Sequence, residues 1–179
     1  MNLRKGAQAA SITLVLGGAR SGKSRYAEGL IAAHPRPWIY VATAQRCDAE
    51  MTERIAKHRA RRASAWQTLE APEDLASALD APPASAPLLV DCLTLWLSNR
   101  MLADADMDCE IDAVVAALAH RAGPLVLVSN EVGSGIVPDN ALARRFRDLQ
   151  GELNQRLAAR ADCVVLLVAG SPLVVKGST

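Results

Sequence analysis

Three groups of residues in this 179-residue chain have the types and spacing for phosphorus chemistry. The first is Gly17-Gly18-Ala19-Arg20-Ser21-Gly22-Lys23-Ser24, which fits G-x-x-x-x-G-K-[ST]. Glycines at both ends let the backbone curl so that several N–H groups face one anion. A helix starting near Lys23 adds the positive end of its dipole. Lys23 can reach the β- and γ-phosphates of a nucleoside triphosphate, and the Ser24 hydroxyl is placed to ligate Mg²⁺. The second group is Asp91, a carboxylate closing the apolar run Leu88-Leu89-Val90. It stands where the Mg²⁺-side carboxylate of a phosphate-loop enzyme stands, or it caps the helix that follows.

The third group surrounds His58. At helical spacing His58 shares a face with Met51, Ile55 and Arg62, so one reading is a histidine at the edge of a core stripe. The other is nucleophilic. Arg54, Arg59, Arg61 and Arg62 concentrate positive charge here. That field lowers the imidazole pKa, keeps a nitrogen lone pair free for attack on phosphorus, and attracts a triphosphate. His34, beside a proline turn, and His120, at a helix end, lack such surroundings.

These groups need a scaffold. Ile12–Leu16, Trp38–Ala42, Leu88–Asp91, Leu125–Asn130 and Cys163–Val168 read as buried strands, with a further short one over Leu173–Lys176. Trp66–Glu70 is ambiguous. Helices are expected over Arg25–Ala33, Ala49–Ala63, Glu73–Leu79, Thr94–Leu102, Glu110–Arg121 and Asn140–Arg160, with a polar turn over Asp104–Asp108. The longest carries the stripe Leu142, Phe146, Leu149, Leu153, Leu157. Strands that are apolar throughout, alternating with helices, indicate an α/β fold with a mostly parallel sheet covered on both faces. Ligands collect at the carboxyl ends of such strands, where Gly17, Thr43, Asp91 and Asn130 fall. The segment Asn130 to Asn140 has two glycines and an early acid, which suits either a loop closing over substrate or a plain connection.

Half of the residues are hydrophobic but only 3% are aromatic, so aliphatic side chains must build the core. One domain is expected over residues 11–179, with 1–10 a loose extension. A formal net charge of +1 argues against a nucleic-acid partner. Cys47, Cys92, Cys109 and Cys163 form no C-x-x-C pair, and Cys92 and Cys163 read as small buried hydrophobes. No stretch is long and apolar enough for membrane insertion and no signal peptide is evident, so a cytoplasmic protein is expected.

The runs Leu16–Ser24, Arg54-Ile55-Ala56-Lys57-His58, Leu89-Val90-Asp91-Cys92-Leu93-Thr94 and Asn130–Pro138 occur in order. Together they resemble the bifunctional adenosylcobinamide kinase / adenosylcobinamide-phosphate guanylyltransferase family of cobalamin biosynthesis, from about Thr13 to Lys176. The resemblance implies a RecA-like P-loop fold, a homotrimer, and GTP and ATP as substrates. It implies phosphorylation of adenosylcobinamide, then transfer of GMP from GTP through a guanylylated histidine to adenosylcobinamide phosphate. Under it, His58 matches the nucleophile and Lys23 the phosphate-loop lysine. Gly17, Gly18, Ala19, Arg20, Ser21, Gly22, Lys23 and Ser24 match the phosphate loop. Thr43, Ala44, Gln45, Arg59, Ala60, Arg61, Arg62, Glu70 and Asp91 match stretches lining the nucleotide, with Ser24 and Asp91 on the metal side. Some relatives carry two adjacent histidines where this chain has Lys57-His58, which leaves His58 as the nucleophile. A small-molecule kinase with no covalent step and a nucleotide-binding interaction module are the rival readings.

Overall fold

The computed structural model describes residues 12–45 and 65–178. His58 and Arg59–Arg62, with the helix expected around them and the N-terminal extension, lie outside the described residues. The apolar runs become strands β1 (Ile12–Gly17), β2 (Trp38–Ala42), β3 (Trp66–Glu70), β4 (Leu88–Asp91), β5 (Leu125–Val128), β6 (Cys163–Val168) and β7 (Ser171–Lys176). Between them run helices α1 (Lys23–Ala32), α2 (Leu75–Asp80), α3 (Leu93–Leu102), α4 (Met107–Ala117) and α5 (Ala141–Arg160), with a 3-10 turn at Leu118–His120.

Among the described residues the strands form one sheet in the order β3-β2-β4-β5-β1-β6-β7. All pairings are parallel except β6 with β7, which is antiparallel. Successive side chains of a strand point to opposite faces, so each buried strand feeds two layers. Leu88 and Val90 join one layer with Leu75, Leu97, Ile111 and Leu153 from α2 to α5. Leu89 joins the other with Ala27 and Ile31 of α1. The expected two-faced, mostly parallel sheet is present. Each fully buried leucine in it contributes about 2–3 kcal/mol.

Several element ends differ from expectation for local reasons. Helix α4 begins at Met107 rather than Glu110, because the Asp106 side chain caps it by accepting from Cys109 N. The Asp104–Asp108 stretch is therefore partly helix, and the final turn of α4 tightens to 3-10 geometry before Arg121. Helix α2 starts at Leu75 with Asp74 as its cap, accepting from Ser77 N. Asn140 caps α5, accepting from Ala143 N at 2.8 Å. In the α5 stripe Leu153 and Leu157 are fully buried, whereas Leu142 is 54% exposed.

Candidate active site

The carboxyl ends of four strands come into one row. Glu70 pairs in register with Ala42, Ala42 with Asp91, and Asp91 with Val128. Thr43 and Asn130 lie just beyond these ends, and β1 beside β5 delivers Gly17 to the same edge.

The phosphate loop runs from Gly17 to α1. Lys23 is almost fully buried, and its Nζ donates to the carbonyls of Gly17 at 2.9 Å and Gly18 at 2.6 Å. The ammonium thus lies across its own loop, ready to exchange carbonyl partners for phosphate oxygens. Gly17 leaves no room for a side chain, since a Cβ there would lie 2.6 Å from the Leu167 carbonyl oxygen and 2.7 Å from Ser21 Oγ. Gly22 caps α1 at φ 100°, a left-handed conformation that suits glycine. The Ser21 hydroxyl is buried with no hydrogen-bond partner. A buried hydroxyl left unpaired costs about 1–3 kcal/mol, which a phosphate oxygen at that position recovers. The loop is held from outside by Gly170 in the β6–β7 turn, whose N–H donates to the Ser21 carbonyl at 2.9 Å.

Asp91 does not cap α3. The cap position falls on Cys92, with no side-chain cap bond. One Asp91 oxygen, Oδ2, accepts from the Tyr40 hydroxyl at 3.0 Å. That bond orients the carboxylate and leaves Oδ1 to other partners. The Cys92 thiol is pushed up to about 11, first by burial and then by the Asp91 charge, while Lys23 acts weakly in the opposite direction. The thiol therefore stays neutral at physiological pH.

Thr43 is fully buried and its hydroxyl is committed. It donates to the Cys92 carbonyl at 2.7 Å and accepts from Cys92 N at 2.8 Å. Asn99 of α3 donates to the Thr43 carbonyl at 2.9 Å and to that of Pro72 at 2.9 Å. Thr43 thus joins the ends of β2 and β4. Ala44 and Gln45 follow it half-buried, and Glu70 is exposed at the end of β3.

A second polar assembly lies under the Asn130–Glu131 turn. Ser129 Oγ donates to Asn154 Oδ1 at 2.6 Å, and Gln150 Nε2 reaches Ser129 Oγ at 3.0 Å and Asn154 Oδ1 at 3.1 Å. Asn154 Nδ2 donates to the Asn130 carbonyl at 3.0 Å, while Asn130 N donates to Thr94 Oγ1 at 2.8 Å. Glu131 N donates to the Gly17 carbonyl at 3.1 Å, and the Glu131 carboxylate accepts from Gly133 N at 2.6 Å. The turn is pinned by α3, α5 and the phosphate loop together. A stripe defined by large apolar residues passes over Gln150 and Asn154. Their i, i+4 spacing, flanking Leu153, is the sequence signal for this buried contact.

The described residues hold no group of three or more side chains able to bind a metal alone. Mg²⁺ typically takes one or two protein oxygens and completes its shell with water and substrate phosphate. Ser24, half-buried in the first turn of α1, and the open Asp91 oxygen fit that modest donor set. Among the described residues no helix is long and apolar enough to cross a membrane.

The family CobU, described as cobinamide kinase / cobinamide phosphate guanyltransferase, matches residues 13–175. The bifunctional adenosylcobalamin biosynthesis protein CobP of Pseudomonas aeruginosa is 50% identical over 167 residues, covering 92% of this chain and 96% of that protein. The bifunctional adenosylcobalamin biosynthesis protein CobU of Salmonella typhimurium is 42% identical over 180 residues, covering 91% and 98%. Among solved structures, a prototypical ATPase from the type III secretion system of pathogenic bacteria superposes with a TM-score of 0.54 at 12% identity. That match covers 88% of this chain and 51% of the other. That likeness shows the fold alone, a mostly parallel α/β sheet with helices on both faces.

Proposed function

The chain belongs to the cobinamide kinase / cobinamide phosphate guanyltransferase family, and from that premise we propose that one domain, residues 11–179, carries both reactions. The observation that supports this reading best is the phosphate loop: a buried lysine on two loop carbonyls beside a buried, unpartnered serine hydroxyl.

In the kinase step the acceptor hydroxyl of adenosylcobinamide attacks the γ-phosphorus of a nucleoside triphosphate, ATP or GTP. The new O–P bond forms as the bond to the nucleoside diphosphate breaks, and the hydroxyl proton is released. Lys23 and the N–H groups from Gly18 to Ser24 stabilise the oxygens on which charge gathers. Ser24 and Asp91 would hold Mg²⁺, which supplies further charge neutralisation on the phosphates when bound. Tyr40 keeps the Asp91 carboxylate aimed through its 3.0 Å bond.

In the guanylyl step an imidazole nitrogen of His58 attacks the α-phosphorus of GTP and pyrophosphate leaves. A phosphate oxygen of adenosylcobinamide phosphate then attacks the same phosphorus, the N–P bond breaks, and adenosylcobinamide-GDP is released. Splitting the displacement in two lets one nucleotide site serve both acceptors. Gln45, Glu70 and Arg59–Arg62 line the nucleotide in this reading. Three copies assemble. Supporting this, β7 is an edge strand with Leu173 at 57% and Val175 at 63% exposure, beside Val168 at 58%.

The test is incubation with α-labelled GTP and Mg²⁺, followed by denaturing electrophoresis. A covalent label that is lost in acid and survives base is expected, as for a phosphoramidate. His58→Asn should remove the label and guanylyl transfer while phosphorylation of adenosylcobinamide persists. Label on another residue, or retained by the variant, would overturn the covalent step and favour a kinase alone. Tight GTP binding without turnover of any cobinamide would favour a nucleotide-binding module.

A further inference from the structure

Beside the pinned Asn130–Glu131 turn, a cavity of about 410 Å³ opens along α5, lined by Gly133, Arg147, Asp148, Gly151, Glu152 and Gln155. Two features of this groove bear on what it could hold. The first is Gly151. Glycine is the poorest helix former except proline, yet it stands in the middle of the longest described helix. Among the described residues, and apart from its own helix backbone, a Cβ at Gly151 would meet no atom within 4 Å. The helix gives up stability there with no packing gain among the described residues. Bare backbone on a helix face admits close approach by another molecule.

The second feature is position. Gly133 on the rim lies two residues from Glu131, whose N–H bonds to the Gly17 carbonyl of the phosphate loop. Two residues span at most about 7 Å, so the groove begins within about 10 Å of the Gly17 carbonyl to which Lys23 Nζ also donates. A ligand lying in it could extend a reactive arm to the nucleotide.

The lining chooses among occupants. Arg147 is bound to its neighbour Asp148 at 2.8 Å, and Glu152 and Gln155 complete the wall. Two carboxylates against one guanidinium oppose a second polyphosphate. Among the described residues no large apolar side chain lines the groove itself, although Ile136, Val137 and Leu142 are exposed on the adjoining loop and helix start, and a separate exposed apolar strip lies along β7. A mixed set of donors and acceptors, with an amide among them and more carboxylates than guanidinium groups, matches a carboxamide-fringed ligand edge that carries no negative charge. We propose that this groove seats the carboxamide-bearing edge of the corrinoid acceptor, with Gly151 as the point of closest approach and Gln155 as a hydrogen-bonding partner. The inference rests on the functional reading above and adds the location of its second substrate.

The test compares wild type, Gly151→Leu and Gln155→Ala in the kinase assay with cobinamide as acceptor, with mass measured by light scattering. Leucine at 151 fills the groove from open space and strengthens the helix, so the fold should survive. Gly151→Leu should raise the KM for cobinamide by about tenfold or more, and Gln155→Ala by a few-fold. The nucleotide KM and the assembly mass should not change. An unchanged cobinamide KM in both variants, with wild type active, would overturn the groove assignment and leave the functional reading standing. A fall in assembly mass for Gly151→Leu would overturn it in favour of a second copy of the chain. Wild type inactive on cobinamide would overturn both.

Discussion

The side-chain amide of Asn154 donates to the backbone carbonyl of Asn130 at 3.0 Å, joining the middle of α5 to the turn beside the phosphate loop. Asn154 is 6% exposed and also accepts from Ser129 and Gln150, so its removal takes one bond each from the Ser129 hydroxyl, the Gln150 amide and the Asn130 carbonyl, while the Gln150-to-Ser129 bond remains. Asn154→Ala should destabilise the protein by roughly 1–3 kcal/mol. It should also lower kcat by about tenfold while the nucleotide affinity changes little, because the turn loosens and Lys23 does not. Denaturant titration together with separate kcat and nucleotide Kd measurements checks both halves. A stability loss with kcat intact would make the network structural only.

Lys23→Ala removes a buried side chain that bridges the Gly17 and Gly18 carbonyls. The loop keeps its shape through the Gly170-to-Ser21 and Tyr26-to-Gly22 backbone bonds. Both activities should fall by at least about a hundredfold, the scale of losing a charged donor from a transition state. Circular dichroism should report an unchanged fold. Phosphoryl transfer near the wild-type rate would refute the site.

Much of this site is legible in the chain because each apolar run ends on the residue that matters, as at Gly17 and Asp91. What escapes is what only tertiary contact creates. Trp66–Glu70 is ambiguous because it is an edge strand, half-buried at Trp66 and Leu69 and exposed at Gln67, Thr68 and Glu70. Its identity comes from pairing with β2. Thr43 reads as a nucleotide contact, yet its hydroxyl is taken up by Cys92 across two strands, a bond with no local signature. Tyr40 sits in a run that looks purely structural, and only the register places its hydroxyl at Asp91.

The Cys92 thiol gives an alkaline signature. Its pKa in the fold is about 11, above the ordinary value of 9.0. Between those values the unfolded chain has lost the proton while the folded chain keeps it. The fold therefore binds more protons, and stability falls as pH rises through that window. One group contributes a slope of at most about 1.4 kcal/mol per pH unit. Burial raises Cys163 and Tyr26 in the same direction. Cys92→Ala should flatten the decline of melting temperature between pH 9 and 11, and leave it unchanged near pH 7. An identical slope would show that Cys92 is not desolvated.

Assembly is checked through β7. Its outer edge is unpaired in the described sheet, and Val168, Leu173 and Val175 stand exposed beside it. Val175→Lys should weaken association by placing a charge on that edge. Light scattering should give a trimer for wild type and a lower mass for the variant. A wild-type mass near 19.0 kDa at working concentrations would contradict the assembly.

The Gly170-to-Ser21 bond has a consequence for how the protein is made. The phosphate loop leaves the ribosome well before the turn near residue 170 that braces it, and β1 lies between β5 and β6. Such distant contacts form only after the segments through Gly170 are available. A nascent chain therefore carries the nucleotide motif long before it can grip a nucleotide. GTP in the cell can stabilise the finished protein by mass action, yet it gives no help to the half-synthesised one. Until Gly170 is in place, nucleotide binding cannot protect the exposed strands.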